Sequence, residues 1–257
     1  MKQFESLQAQ NILSAKLGEQ AIEVLSTLLV AFQRTDRWQD IPVEEIYEAL
    51  SLFLLDQISS LYIVDRGLRS GEKSQLVALD FLSPALRANA EEVLGMRDWL
   101  SVAERQKILE RLTQIEQKKG KIQKLSYQEL DIEQLGAVYE QLMEQSIVLV
   151  DGKLGLESDD TRRATGAHYT PRILCDFTVE ASMDHLLSEM SSSEDILALR
   201  ICDPAMGSGA FLLAAMRFLS KRLCSAWSRE GREQTEELES LAKMEIAQNC
   251  LFGVDIN

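Results

Sequence analysis

Proline is scarce in this 257-residue chain: four residues, Pro42, Pro84, Pro171 and Pro204, none adjacent to another. With 13 glycines and only 6% aromatic residues, that scarcity excludes a turn-rich β-sandwich and leaves a helix-rich or α/β chain. Cysteine is equally sparse. Cys175, Cys202, Cys224 and Cys250 stand far apart, which excludes a disulfide framework and a zinc site built on paired cysteines. His168 and His185 are the only histidines, so no metal is expected. Cys202 and Cys250 sit in or beside apolar runs and read as small core residues.

Positive charge is in deficit too: 27 Lys and Arg face 41 Asp and Glu, for a net charge of −14. No segment is strongly basic, so the counterion release that drives nucleic-acid binding has little to act on. The one lysine run, Lys118, Lys119, Lys121 and Lys124, reads as a solvated helix end and loop around Gly120. No apolar run approaches the ~20 residues of a membrane helix. The opening MKQFESLQAQ lacks the basic-then-apolar order of a secretion signal. The expectation is a cytoplasmic protein without membrane contact. What the chain does have is 46% hydrophobic residues, enough for a real core and too many for a disordered chain.

The first part of the chain reads as an all-helical domain over residues 1–158. Ile12, Leu13, Ala21, Val24, Leu25, Leu28, Leu29 and Phe32 recur at three- and four-residue steps, the signature of an inward apolar stripe. After a polar break at residues 35–40 and Pro42, a second helix carries Val43, Ile46, Tyr47, Leu50, Phe53 and Leu54 to near Gly67. Ser83 and Pro84 form an N-cap and first-turn pair, residues 103–117 a charged amphipathic helix, and residues 131–150 a further helix with Leu135, Val138, Tyr139, Leu142 and Met143 on its apolar side. The polar stretch 151–165 reads as a surface connection, followed by a second domain over residues 159–257.

There the grammar changes. Thr170 and Pro171 open a helix with Ile173, Leu174, Phe177 and Ala181 on its apolar side, to about Met190. A short apolar run at residues 196–202 reads as a buried strand, and Asp203-Pro204-Ala205-Met206-Gly207-Ser208-Gly209 as the loop into a helix from Ala210 to about Ser228. A helix at residues 236–249 and a second strand at 251–256 follow. A strand that ends in an acid and turns through two glycines into a helix makes a crevice at the carboxyl edge of a parallel sheet, where ligands bind. Glycine permits close backbone approach, and the helix start offers N–H groups to an anion. No Gly-Lys-Ser or Gly-Lys-Thr follows, so this is not a Walker loop; Leu212 stands where a dinucleotide fingerprint has its third glycine. Asp203 would repel a pyrophosphate and pair with an ammonium group, while Asp255, at the tip of the second strand, stands where doubly wound folds bind ribose hydroxyls. An amino-acid end plus a ribose describes S-adenosylmethionine.

The run Asp203-Pro204-Ala205-Met206-Gly207-Ser208-Gly209-Ala210-Phe211-Leu212 resembles the cofactor motif of adenine-specific DNA methyltransferases, especially the large restriction-modification type that joins methylase and specificity functions in one polypeptide. Thr165-Gly166-Ala167-His168-Tyr169-Thr170-Pro171 resembles the motif that precedes it, Phe252-Gly253-Val254-Asp255-Ile256-Asn257 the strand that follows, and Leu135-Gly136-Ala137-Val138-Tyr139-Glu140-Gln141-Leu142 the helix upstream. The resemblance is specific over residues 131–257. It implies an α/β fold in which the helical domain leads into the start of a Rossmann-like, doubly wound methyltransferase domain. It also implies roles. Thr170 would bind the methionine carboxylate and Asp203 the amino group, Gly207 and Gly209 would let the backbone wrap the methionine chain, Phe211 would wall the pocket, and Asp255 would accept the ribose hydroxyls. Ala205 belongs to the same cofactor-binding loop, and His168 and Tyr169 shape the segment before it.

Adenine methylation in this family uses a Pro-Pro-aromatic motif to hold the flipped base. No Pro-Pro pair exists in the sequence, so no catalytic residue is assigned. The expectation is the cofactor-binding portion of an incomplete enzyme, inactive alone, with double-stranded DNA contacted by other parts and a complementary chain completing the domain. Two alternatives stand: a methyltransferase acting on protein glutamine or RNA, and a non-catalytic helical interaction protein with a vestigial cofactor loop.

Overall fold

The computed structural model describes residues 2–67, 84–95, 99–117, 121–158, 170, 172–188 and 192–255. The chain divides into two units, Met1–Ala167 and His168–Asn257. The fold is of the α/β kind, mostly helical with three small two-stranded sheets among the described residues.

In the first unit, α1 (Lys2–Gln33) and α2 (Val43–Asp65) supply most of the core. Leu17, Ala21, Val24, Leu25, Leu28, Leu29 and Phe32 of α1 are all buried, while Ile12 at the end of the stripe is exposed. By length and composition α2 is apolar enough to cross a membrane, but most of it lies buried within this unit. Ile46, Leu50, Leu54 and Ile58 pack into the core, each worth roughly 1.5–3 kcal/mol of burial. Tyr47 donates its hydroxyl to the Leu142 carbonyl, fixing α2 to α5 (Ile132–Met143). The helices α3 (Pro84–Leu94) and α4 (Val102–Thr113) complete the helical part. Ser101 starts α4 with a reciprocal capping box to Glu104.

An all-helical first domain is not what forms. Two antiparallel hairpins interrupt it: β1 (Gln114–Gln117) with β2 (Lys121–Lys124), and β3 (Gln145–Val150) with β4 (Lys153–Ser158). The helix expected over residues 103–117 ends at Thr113, and the one expected over 131–150 ends at Met143. The Lys121 and Lys124 backbones therefore belong to a strand rather than a helix end. Local chemistry explains the second hairpin. Asp151 and Gly152 both have positive φ, 50° and 73°, the two-residue turn whose twist matches antiparallel strands, and the β-branched residues Ile147, Val148 and Val150 favour the strand beside it. The stretch read as a surface connection is in part that turn and β4.

The second unit contains α6 (Arg172–Ser188), α7 (Ser193–Leu197), β5 (Ile201–Asp203), α8 (Ala210–Arg229), α9 (Glu236–Asn249) and β6 (Leu251–Gly253). Leu219, Leu223, Ala226 and Trp227 of α8 pack with Ala242 and Ile246 of α9, and Thr235 caps α9 by accepting from the Leu238 N–H at 3.1 Å. The strands β5 and β6 pair in parallel, Ile201 with Leu251, Cys202 with Phe252 and Asp203 with Gly253.

Three expectations for this unit change. The strand expected at residues 196–202 is a helical turn followed by a three-residue strand, because Ser192 and Asp195 form a capping box that starts α7. The second strand stops at Gly253 rather than Ile256. The face of α6 expected to point inward is exposed: Ile173 and Leu174 each keep 54% of their surface and Phe177 70%, while Cys175, Val179 and Leu187 are buried. Cys202, expected in the core, is exposed; Cys250 is buried, where burial pushes its thiol pKa up.

Candidate functional site

The site begins at the tip of β5. Asp203 accepts the Ala205 N–H on Oδ1 at 3.1 Å, the aspartate turn that reverses a chain through Pro204. The Asp203 carbonyl accepts from Val254 N–H at 2.9 Å, and the Met206 N–H donates to the Val254 carbonyl at 2.9 Å. The first half of the loop is thus tied by backbone bonds to the continuation of β6.

The second half depends on glycine. Gly207 and Gly209 have φ of 51° and 79°, in the left-handed region that costs other residues roughly 1–2 kcal/mol. The Gly209 N–H closes a turn onto the Met206 carbonyl at 2.8 Å, and its own carbonyl accepts from Leu213 N–H at 2.9 Å, beginning α8. Its N-cap residue, Gly209, has no side chain to cap it, and its first turn carries no acid, so the positive dipole end of the helix faces the loop.

Asp255, two residues beyond β6, reaches this turn: its Oδ2 accepts the Gly207 N–H at 2.6 Å. Asp203, Ala205, Gly207, Gly209 and Asp255 therefore come together in one hydrogen-bonded loop cluster at the carboxyl ends of two parallel strands. Phe211 is half-buried and packs towards the cluster of Cys175, Val179, Ala214 and Ala215.

Thr170 lies just before α6, where its carbonyl accepts from the Cys175 thiol at 3.5 Å. Its level relative to the loop follows from ion pairs between helices. Arg217 meets Asp176 at 2.7 Å and Arg222 meets Asp184, so α6 and α8 run side by side in the same direction. Thr170 and Ala210 stand six and seven residues before Asp176 and Arg217, each about 10 Å at a helical rise. Both helix starts, and with them Thr170 and the glycine loop, lie at the same end of the unit. His168, Tyr169 and Pro171 lie outside the described residues.

Two contributors have no place in the sequence reading. A Cβ on Gly253 would overlap the Met206 sulfur and come within 3.0 Å of Leu212 Cδ1, so the bare backbone of β6 is what lets Met206 lie over it. The signal was present as Phe252-Gly253-Val254-Asp255, but no spacing rule links that glycine to Met206. A separate groove of about 680 Å³ runs along α6, α8 and the start of α9, with Arg172, Arg217, Lys221 and Lys243 in its lining; it shares no residue with the glycine-loop site. Among the described residues no three His, Cys, Asp or Glu side chains gather into a metal site.

Residues 130–252 match the family model described as N-6 DNA Methylase. The matched segment begins two residues before α5, includes β3, β4 and the elements from α6 to α9, and ends within β6, one residue before Gly253. No curated protein and no solved structure matches the chain.

Proposed function

Because residues 130–252 match the N-6 DNA methylase family model, we propose that the second unit binds S-adenosylmethionine for methylation of the exocyclic amino group of adenine in DNA. The carrying observation is the loop itself: two left-handed glycines between two parallel strands, each followed by or ending in an acid, opening into a helix whose N-cap is the second of those glycines. These residues fit the cofactor. The α8 start and Thr170 suit its carboxylate, Asp203 its ammonium group, Gly207 and Gly209 the close passage of its methionine chain, and Asp255 its ribose hydroxyls. The Ala205 N–H is already used by Asp203, so Ala205 serves by shaping the turn. Phe211 contributes a wall only through the part of its ring left outside the core.

The bound cofactor would supply an electrophilic methyl group. This chain's residues bind and orient; none is assigned a proton-transfer or base-holding role, because none of its four prolines forms the Pro-Pro element that base flipping in this family uses. Double-stranded DNA is the proposed substrate, a restriction-modification system the proposed setting, and a complementary chain the proposed source of the base pocket. The net charge of −14 supports DNA contact through something other than this chain's own surface.

Calorimetric titration of S-adenosylmethionine into the full chain tests the reading. Binding is expected to disappear in Gly207→Val, which puts a β-branched residue at φ 51°, and to weaken in Asp203→Ala. Equal affinity in the wild type and both variants refutes it.

A further inference from the structure

We infer that Asp255 is a positioning residue for the glycine loop as well as a ribose acceptor, so that one carboxylate couples the two ends of the cofactor cleft. The inference rests on the cofactor reading above and extends it. The backbone bonds from β5 and the continuation of β6 reach the loop at Met206. Beyond that point the left-handed Gly207 is held from the far strand by the Asp255 side chain, through the 2.6 Å bond from its N–H to Oδ2.

A carboxylate offers about four lone-pair directions, so holding the Gly207 N–H does not by itself exclude ribose hydroxyls from the same group. A ribose docked there steadies the carboxylate, the carboxylate steadies Gly207, and the turn that the methionine chain must pass is set before that chain arrives. A residue that only recognised ribose would not touch the loop. This one does.

The test uses the full chain, Asp255→Asn and Asp255→Glu, with two ligands: S-adenosylmethionine, and 5′-methylthioadenosine, which keeps the adenosine and lacks the amino acid. Replacing a charged acceptor by a neutral amide roughly halves such a bond. Without ligand, the Gly207 amide should exchange with solvent about three- to tenfold faster in Asp255→Asn, while the α8 amides beyond Leu219 keep their protection and report that the unit is folded. Asp255→Glu keeps the charge and should recover part of the Gly207 protection. With ligand, Asp255→Asn should lose more affinity for S-adenosylmethionine than for 5′-methylthioadenosine, shrinking the preference about threefold or more. Unchanged Gly207 exchange, or equal loss for the two ligands, overturns the inference. If the wild type binds neither ligand, the cofactor reading fails by itself, and Gly207 exchange alone then upholds or overturns the loop-holding role.

Discussion

Gly209→Ala isolates the conformational cost of the loop. Gly209 has φ 79°, but an added methyl would find only Met206 Cε, at 3.6 Å, which is ordinary contact distance. The substitution therefore meets no steric obstacle, and its cost is that of a left-handed alanine, roughly 1–2 kcal/mol. Alanine also narrows the unfolded ensemble, returning about 0.4–1 kcal/mol. The net destabilisation expected is about 1 kcal/mol, localised where α8 begins. Asparagine tolerates the left-handed region better than alanine does, so Gly209→Asn should cost less. Native-state hydrogen exchange of the α8 amides reads both variants against the wild type and does not require the whole chain to unfold in one step. Alanine matching the wild type, or asparagine costing more than alanine, would refute the claim that backbone conformation rather than space selects glycine here.

Gly253→Ala should fail for the opposite reason, by displacing Met206. The double variant Gly253→Ala/Met206→Ala is then expected to cost less than the two single changes added together, a non-additivity that a double-mutant cycle in urea measures. Removing the α4 cap by Ser101→Ala should cost about 1 kcal/mol near neutral pH. Its pH dependence has a definite sign. The Ser101 hydroxyl and N–H, with Arg34, hold the Glu104 carboxyl below the usual carboxylate range. The stability that this carboxylate supplies is present above its unfolded pKa and is lost as pH falls through the folded one. The gap between wild type and Ser101→Ala should therefore narrow below about pH 4; a gap that widens in acid, followed by thermal melts across pH, contradicts the capping account.

Legibility in the sequence tracked how local each determinant was. The helix at residues 236–249 could be read to its ends because Thr235 and the acids after it mark its start within a few residues. The loop between Asp203 and α8 was legible for the same reason: its glycines, its acid and the helix that follows are contiguous. Gly207 and Asp255 were each visible, but not the bond between them, which depends on β6 arriving beside β5. The hairpin at Asp151-Gly152 carried a local signal that was outweighed by the polar residues around it. The covered face of α6 had no local answer. Ile173, Leu174 and Phe177 are as apolar as Cys175, Val179 and Leu187, and only the position of α8 and the sheet decides which set is buried.

The two-stranded sheet has a mechanical consequence. Three paired residues per strand give the loop a narrow footing, and among the described residues the outer edge of each strand has no ladder partner. Cys202, Phe252 and Val254 are exposed beside it. A strand pairing along β5, or a surface covering those three residues, would stiffen the bend that carries Gly207 and Asp255. A ligand held by the loop and a strand paired along β5 or β6 would therefore each favour the other, by linkage through the same bend.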